Sequence, residues 1–300
     1  LIGLSPAIVR LKQEILLLAS IDTNVIIYGE TGTGKELVAQ CLHEFSNRRS
    51  RNFVPVNCGA IPEPLIESEL FGHEAGAFTG ASKTHIGHFE RADGGSMILD
   101  ELATITPRMQ EKILRAIEYG EIQRVGGSDT LRVDVRIVGS TNSDLQALVA
   151  SGKFRPDLLD RLAFDVITIP PLRERLEDIL PLCHAFAVNM VSEMKRAYFP
   201  GFAPKAASAL LRHKWPGNVR EIANAMERAY VLSVEEVVEP SVLPKEVLMA
   251  AYTGGANGPL PTLDDAKSKL IADALRVTGA RKLAERKKPG PKRRPPDRPH

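Results

Sequence analysis

The chain has 300 residues, of which 43% are hydrophobic and 25% charged, and this composition predicts a globular protein of about two domains. The formal net charge is +2, but residues 281–300 carry nine basic and two acidic groups, which leaves −5 for the other 280 residues. This balance excludes a protein that is basic throughout. Only the tail has the charge to attract nucleic acid independently of its sequence.

The cysteine content and the hydropathy pattern indicate the compartment. Cys41, Cys58 and Cys183 form no CxxC pair, which argues against a disulfide framework or a zinc site and fits a reducing environment. No apolar run has the length of a membrane span, and no signal peptide opens the chain. We therefore expect a cytoplasmic protein with no membrane span.

Alternating strands and helices predict an α/β domain over residues 1–171. Ser5 and Pro6 predict the N-terminus of a helix. Short apolar runs predict four strands: "NVIIYGE" (24–30), "FVPVN" (53–57), "SMILD" (96–100) and "VRIVGSTN" (135–142). Helical patterns separate these runs, so we expect a parallel sheet flanked by helices on both faces.

The second half of the chain is predicted to be helical. Residues 176–250 show only helical periodicity, and we predict a smaller all-α domain over residues 172–252. Residues 253–261 are rich in glycine and predict a linker, and residues 262–280 predict one more amphipathic helix. Residues 281–300 combine proline with like charges and cannot bury a core, so we expect them to be disordered.

The stretch "GETGTGKE" predicts a phosphate-binding loop. It matches G-x-x-x-x-G-K between a predicted strand and a predicted helix, which is the context of a P-loop. Backbone N–H groups would cradle phosphate oxygens, and Lys35 would reach the β- and γ-phosphates of ATP. Glu36 stands where Ser or Thr usually binds the metal, and its carboxylate could assist Mg²⁺ directly or through water. The predicted nucleotide-binding residues are Gly29, Glu30, Thr31, Gly32, Thr33, Gly34, Lys35, Glu36, Asp100 and Arg220.

Carboxylates follow the third predicted strand, at the edge where open α/β sheets bind ligands. In "MILDEL", Asp100 would hold Mg²⁺ and Glu101 would polarise the attacking water as general base. Asn142 ends the fourth predicted strand, where it could touch the γ-phosphate or the water.

Three arginines are candidates for compensating the charge of the γ-phosphate. Arg155 and Arg161 are six residues apart and so do not share a helical face. Either one enters a neighbour's site while the other braces the interface, or both form surface ion pairs. Arg220 begins a helix of the small domain and could reach back to the nucleotide. Trp215 is interpreted as a packing residue.

In this order, the motifs resemble the central domain of bacterial enhancer-binding proteins. These are AAA+ P-loop ATPases that activate RNA polymerase carrying sigma-54. The resemblance covers about residues 1–245 and looks especially close to members of the phage-shock and nitrogen-regulator type. It rests on "GETGTGKE", "NCGAI", "ELFGHEAGAFTGA", "GGSMILDEL", "FRPDLLDRLAFDV", "PPLRERLEDI" and "WPGNVRE". It implies an AAA+ α/β fold followed by a helical lid.

The GAFTGA element is the specific signal, because other AAA+ families lack it. It comprises Gly76, Ala77, Phe78, Thr79, Gly80 and Ala81. The resemblance implies a loop that rises from the surface of a hexameric ring and binds sigma-54 when the γ-phosphate is in place. Thr79 would be the main sigma-54 contact, and Phe78 would touch sigma-54 and promoter DNA.

The resemblance also assigns roles within the nucleotide site. Asn57 would be the switch that holds Glu101 in one nucleotide state and releases it in another. Arg155 and Arg161 would act across the subunit interface, and Arg220 would be the second sensor. "RVGGSD" (124–129) matches the second loop on the pore side.

The expected activity is Mg-dependent ATP hydrolysis coupled to remodelling of the sigma-54 closed promoter complex, in the setting of DNA-binding or two-component regulation. Control would come from a domain missing from this sequence or from a separate protein. Residues 262–280 resemble the first helix of the family's helix-turn-helix, but the continuation lacks the spacing of a recognition helix, so enhancer DNA binding stays open. The alternatives are an AAA+ remodeller of another protein, a nucleotide-gated DNA-binding regulator independent of sigma-54, and a scaffold that binds ATP without turnover.

Overall fold

The structure, a computed structural model, describes residues 1–193, 199, 201–232 and 237–253. The predicted helix-turn-helix-like segment and basic tail lie outside the described residues, as does the predicted linker apart from residue 253. Within the described ranges, no helix combines the length and apolarity needed to cross a bilayer.

A five-stranded parallel sheet forms the centre of the first domain. The described strands are β1 (Val25–Tyr28), β2 (Phe53–Asn57), β3 (Ser96–Asp100), β4 (Glu121–Gln123), β5 (Thr130–Arg132), β6 (Arg136–Thr141) and β7 (Asp165–Thr168). The sheet order is β2-β3-β6-β1-β7, and every neighbouring pair is parallel. All four predicted strands are present, and the predicted parallel α/β class is confirmed.

The structure adds three strands that the sequence pattern did not predict. β7 is a four-residue edge strand, with only Ile167 fully buried, so its apolar signal is weak. β4 and β5 form a separate antiparallel hairpin of three residues each. Runs this short carry too little periodicity to be distinguished from loops.

Helices cover both faces of the sheet and then form the second domain. The described helices are α1 (Pro6–Ala19), α2 (Lys35–Glu44), α3 (Glu63–Phe71), α4 (His88–Arg91), α5 (Pro107–Tyr119), α6 (Leu145–Ala150), α7 (Pro156–Leu162), α8 (Ile179–Glu193), α9 (Pro204–Arg212), α10 (Asn218–Leu232) and α11 (Lys245–Thr253). α1 begins as predicted, because Ser5 Oγ accepts a hydrogen bond from the backbone N–H of Ile8 and Pro6 occupies the first helical position.

Alternate residues of the central strands pack into different cores. Ile26 joins the core that contains α3, α5 and α7, whereas Val25 and Ile27 join the core that contains α1 and α2. This two-sided burial explains why the strands are continuous apolar runs.

The residues after β7 build a helical unit with its own core. Trp215 is fully buried there, and its indole N–H donates to the carbonyl oxygen of Leu210 at 2.9 Å. The tryptophan is therefore a packing residue, as its sequence context suggested. The boundary near residue 171 stays a prediction.

Candidate nucleotide site and partner-binding loop

The phosphate loop connects the end of β1 to the start of α2. Gly32 and Gly34 have φ angles of +80° and +103°, which a side chain would strain. The Lys35 ammonium donates to the carbonyl oxygens of Gly29 (2.9 Å) and Glu30 (3.3 Å). Burial lowers the pKa of Lys35, while the charge of Asp100 opposes that shift. The predicted strand, loop and helix thus place a lysine between the loop and the carboxylate at the end of β3.

The predicted acidic residues lie side by side at the carboxyl ends of β2 and β3. Asp100 pairs in register with Asn57, and Ser140 Oγ of β6 donates to Asp100 Oδ1 at 2.7 Å. Glu101 follows with a left-handed φ of 57°. Its carboxylate lies against Gly59, where an added Cβ would overlap it. This edge of the sheet therefore brings together Asn57, Asp100 and Glu101.

The local charge at this edge is negative. Burial, together with the charges of Asp100 and Glu101, raises the pKa of the Cys58 thiol to about 12. Such a field favours a bound cation. The described residues contain no cluster of three or more acidic, histidine or cysteine side chains that could enclose a metal by themselves. The carboxylate of Asp100, held by Ser140, is the kind of single oxygen ligand that fits a magnesium ion whose other ligands are phosphate and water.

The structure does not test the roles that were predicted for Asn57 and Glu36. The side-chain oxygen of Asn57 accepts from the backbone N–H of Ala60 at 3.0 Å, so its switch contact with Glu101 stays a prediction. Glu36 is exposed in the first turn of α2. Its assistance to a metal also stays a prediction.

Asn142 and Arg220 both approach the phosphate loop. Asn142, just after β6, donates from Nδ2 to Thr31 Oγ1 at 3.3 Å. The backbone N–H groups of Val219 and Arg220 donate to the carbonyl oxygen of Gly32 at 2.9 and 3.2 Å. The charge of Arg220 also contributes to lowering the pKa of Lys35. Sheet and helical domain thus meet at this loop.

Arg155 and Arg161 lie at opposite ends of α7. Arg155 forms a two-pronged ion pair with Asp157 (3.0 and 2.7 Å), and Arg161 pairs with Glu118 at 2.9 Å. In the described part of the chain, no hydrogen bond joins either guanidinium to the phosphate loop. Their action across a subunit interface stays a prediction.

The GAFTGA element forms an exposed loop between α3 and α4. Gly76 N–H donates to the Ala81 carbonyl oxygen at 2.8 Å, which closes the base of the loop. Thr79 is exposed, and the Phe78 side chain is 41% exposed with its ring edge-on to His73 at 4.9 Å. The two residues predicted to bind the partner are thus displayed at the surface.

A brace of charged residues holds the base of this loop against the β4–β5 hairpin. Arg124 pairs with Glu74 at 2.7 Å and with both oxygens of Glu90 at 2.9 and 2.6 Å. Arg124 lowers the pKa of both glutamates. An added Cβ at Gly126, within the predicted second loop, would meet Ala77. The two predicted loops are therefore in contact.

Sequence reasoning missed several side chains that build these sites. Ser140 orients Asp100, Arg124 forms the brace, and Arg173 and Asn218 contact Glu30. Arg173 and Asn218 lie within the quoted motifs "PPLRERLEDI" and "WPGNVRE", so their motif membership was the available signal. Arg124 begins the quoted stretch "RVGGSD", which was likewise its available signal, whereas Ser140 carries no signal that would separate it from an ordinary strand residue.

Comparison with known proteins gives two adjoining family matches. Residues 1–169 match the family described as "Sigma-54 interaction domain", and residues 173–257 match the "AAA+ ATPase lid domain". The Psp operon transcriptional activator of Escherichia coli (strain K12) is 54% identical over 229 residues, which cover 76% of this chain and 70% of the relative. The transcriptional regulatory protein ZraR of Salmonella typhimurium is 45% identical over 282 residues, 94% of this chain and 64% of the relative.

Solved structures share the same fold. NtrX from Brucella abortus in complex with ATP aligns with a TM-score of 0.78 and 34% identity, covering 91% of this chain and 61% of NtrX. A closed-state Hsp104 reconstruction, with 15% identity and a TM-score of 0.50, shares the fold alone. The chain therefore spans between 61% and 70% of the length of the Psp activator, ZraR and NtrX.

Proposed function

This chain belongs to the family of AAA+ ATPases with a sigma-54 interaction domain, and from that premise we propose that it hydrolyses ATP to remodel the sigma-54 RNA polymerase closed promoter complex. The observation that carries the proposal is the intact, exposed GAFTGA loop on a chain that also holds a complete phosphate loop. The names of the relatives, a Psp operon activator and the regulator ZraR, support transcriptional activation.

The nucleotide site supports hydrolysis rather than binding alone. Lys35 would stabilise the β- and γ-phosphates, and Asn142 would approach the γ-phosphate from β6. Glu101, exposed at the strand end, would accept the proton of the attacking water. A scaffold that bound ATP without hydrolysing it would not need a general base at that position.

Asp100 and the nucleotide phosphates would hold Mg²⁺, with Glu36 assisting directly or through water. The ion would supply charge neutralisation at the γ-phosphate. The Ser140 hydrogen bond keeps Asp100 in one orientation, so the ligand is preorganised before the ion arrives.

A ring of subunits, which we propose to be hexameric, would complete each site. Arg155 and Arg161 lie in exposed or half-buried positions where their guanidinium groups can exchange Asp157 or Glu118 for a neighbour's phosphate. Such an arginine supplied from a neighbour is worth roughly a thousandfold or more in rate. Asn57 would report γ-phosphate occupancy to Glu101 across the ends of β2 and β3.

The GAFTGA loop would transmit the free energy of ATP hydrolysis to sigma-54. Phe78 and Thr79 are exposed because the partner, and not this chain, would bury them. Phe78 would also approach promoter DNA. The contact between Ala77 and Gly126 supports coupled movement of the GAFTGA loop and residues 124–129.

The test is capture of sigma-54 in the presence of Mg²⁺, ADP and a metal-fluoride analogue of the transferred γ-phosphate. We expect wild-type protein to form a stable complex with purified sigma-54 only when the analogue is present. Thr79→Ala should lose the complex while retaining ATP hydrolysis, and the neighbouring Ser82→Ala serves as the matched control. Normal hydrolysis without any complex would favour a remodeller of another protein, and capture without nucleotide would favour a regulator that does not use the cycle.

A further inference from the structure

Residues 30–33 of the phosphate loop each accept a hydrogen bond from a residue that follows β7. Arg173 pairs with the Glu30 carboxylate, and Asn218 Nδ2 donates to the Thr31 carbonyl oxygen at 3.1 Å. The Gly32 carbonyl oxygen accepts from the N-terminal turn of α10. Arg175 donates to the Thr33 carbonyl oxygen at 3.3 Å.

Glu30 places a negative charge within the loop that is proposed to bind the triphosphate. Both oxygens are occupied: Arg173 Nη1 and Nη2 donate at 2.8 and 2.7 Å, and Asn218 Nδ2 donates at 3.2 Å. Hydrogen bonding from Arg173, then from Asn218, lowers the pKa of Glu30. The carboxylate is therefore ionised and its charge is balanced by an arginine outside the loop.

Asn218 joins three segments through one buried amide. It is fully buried with a left-handed φ of 53°, and its Oδ1 accepts from the backbone N–H of Leu172 at 2.8 Å. Its Nδ2 reaches the phosphate loop. The turn after β7, the phosphate loop and the start of α10 are thus tied together two residues before Arg220.

We propose that Glu30, Arg173 and Asn218 form a clasp that fixes α10, and with it Arg220, against the phosphate loop. Their side chains are positioning groups, because they contact each other and the loop, and Glu30 would bind the nucleotide through its backbone alone. Arg173 has a second effect, because it cancels the Glu30 charge that would otherwise repel the triphosphate. This inference rests on the proposed ATPase function.

The clasp predicts a specific pattern of nucleotide affinity. Arg173→Ala should raise KM for ATP about fivefold, with kcat within about twofold, because it leaves a carboxylate uncompensated near the phosphates. ADP affinity should fall less, since ADP carries one phosphate charge less. Arg173→Lys keeps the charge and should retain most of the affinity.

A second substitution that restores ATP affinity would distinguish charge compensation by Arg173 from a purely structural role. Adding Glu30→Gln to Arg173→Ala removes the uncompensated charge but keeps a side-chain oxygen that can accept from Asn218, so α10 stays anchored. KM for ATP should therefore return to within about twofold of wild type. Arg108→Ala, which disrupts the exposed Arg108–Glu67 pair elsewhere on the surface, is the matched control and should change nothing.

Each result decides between the two proposals. Failure of the wild type to bind ATP would overturn the ATPase function and the clasp together. If the wild type binds ATP and Arg173→Ala matches it in KM, the clasp alone is wrong. A double variant no better than Arg173→Ala would also overturn the charge-compensating role.

Discussion

The phosphate loop and the GAFTGA loop are both rich in glycine, yet they lie in opposite environments. The phosphate loop is held by the helical domain, by Asn142 and by its own lysine. The GAFTGA loop is closed by backbone hydrogen bonds and touches the rest of the protein through Ala77, Phe78 and its charged base. Catalysis needs a preorganised cradle, whereas a partner loop needs surface that is still available for burial.

The largest expected effect tests whether the nucleotide site hydrolyses ATP. Glu101→Gln should lower ATP hydrolysis about a thousandfold, because it removes the general base. ATP binding should persist, since Lys35 and the loop are unchanged. Phosphate release and nucleotide binding, measured side by side, check this, with exposed Glu63→Gln on α3 as the control. Full activity in Glu101→Gln would assign the base to another residue.

The next effect tests how tightly the phosphate loop is enclosed. Gly32→Ala would strain a φ of +80° and drive a Cβ into the carbonyl oxygen of Gly217. We expect ATP affinity to fall about a hundredfold, because the loop and the start of α10 can no longer fit together. Titration with a fluorescent ATP analogue measures it. Unchanged affinity would show that the helical domain does not press on the loop.

A smaller effect is expected at the brace below the GAFTGA loop. Arg124→Ala leaves Glu74 and Glu90 close together without their shared cation. Sigma-54 capture with the γ-phosphate analogue should weaken about tenfold, while ATP hydrolysis changes less than about twofold. A parallel loss of hydrolysis would contradict the separation of the two regions.

The smallest expected effect tests the contrast between Gly76 in the GAFTGA loop and Gly32 in the phosphate loop. Gly76 has a φ of +83°, nearly that of Gly32, but an added Cβ there meets nothing within 4 Å. Gly76→Ala should therefore cost only backbone strain of about 1 kcal/mol, confined to the loop. The melting temperature should fall by only a few degrees, ATP affinity should match wild type, and sigma-54 capture should weaken about fivefold. Loss of ATP affinity equal to that of Gly32→Ala would remove the distinction.

Much of the fold followed from local patterns. The central strands are buried on both faces, so their apolar runs stand out, and the glycines and lysine of the phosphate loop have a spacing that only a strand–loop–helix context explains. β7 and the β4–β5 hairpin escaped prediction, because an edge strand and a short hairpin fully bury few of their side chains.

Within the sites, the sequence by itself determined which chemical groups are present. It placed Asp100 and Glu101 at the end of one strand and Lys35 after the loop that follows another, and such strand ends converge in a parallel sheet. It also placed Phe78 and Thr79 between glycines. Only the tertiary structure decided how those groups are held, through Ser140 on Asp100, Arg124 below the GAFTGA loop, and Arg173 and Asn218 on Glu30. Those contacts join residues that are far apart along the chain, and local periodicity carries no information about such pairs.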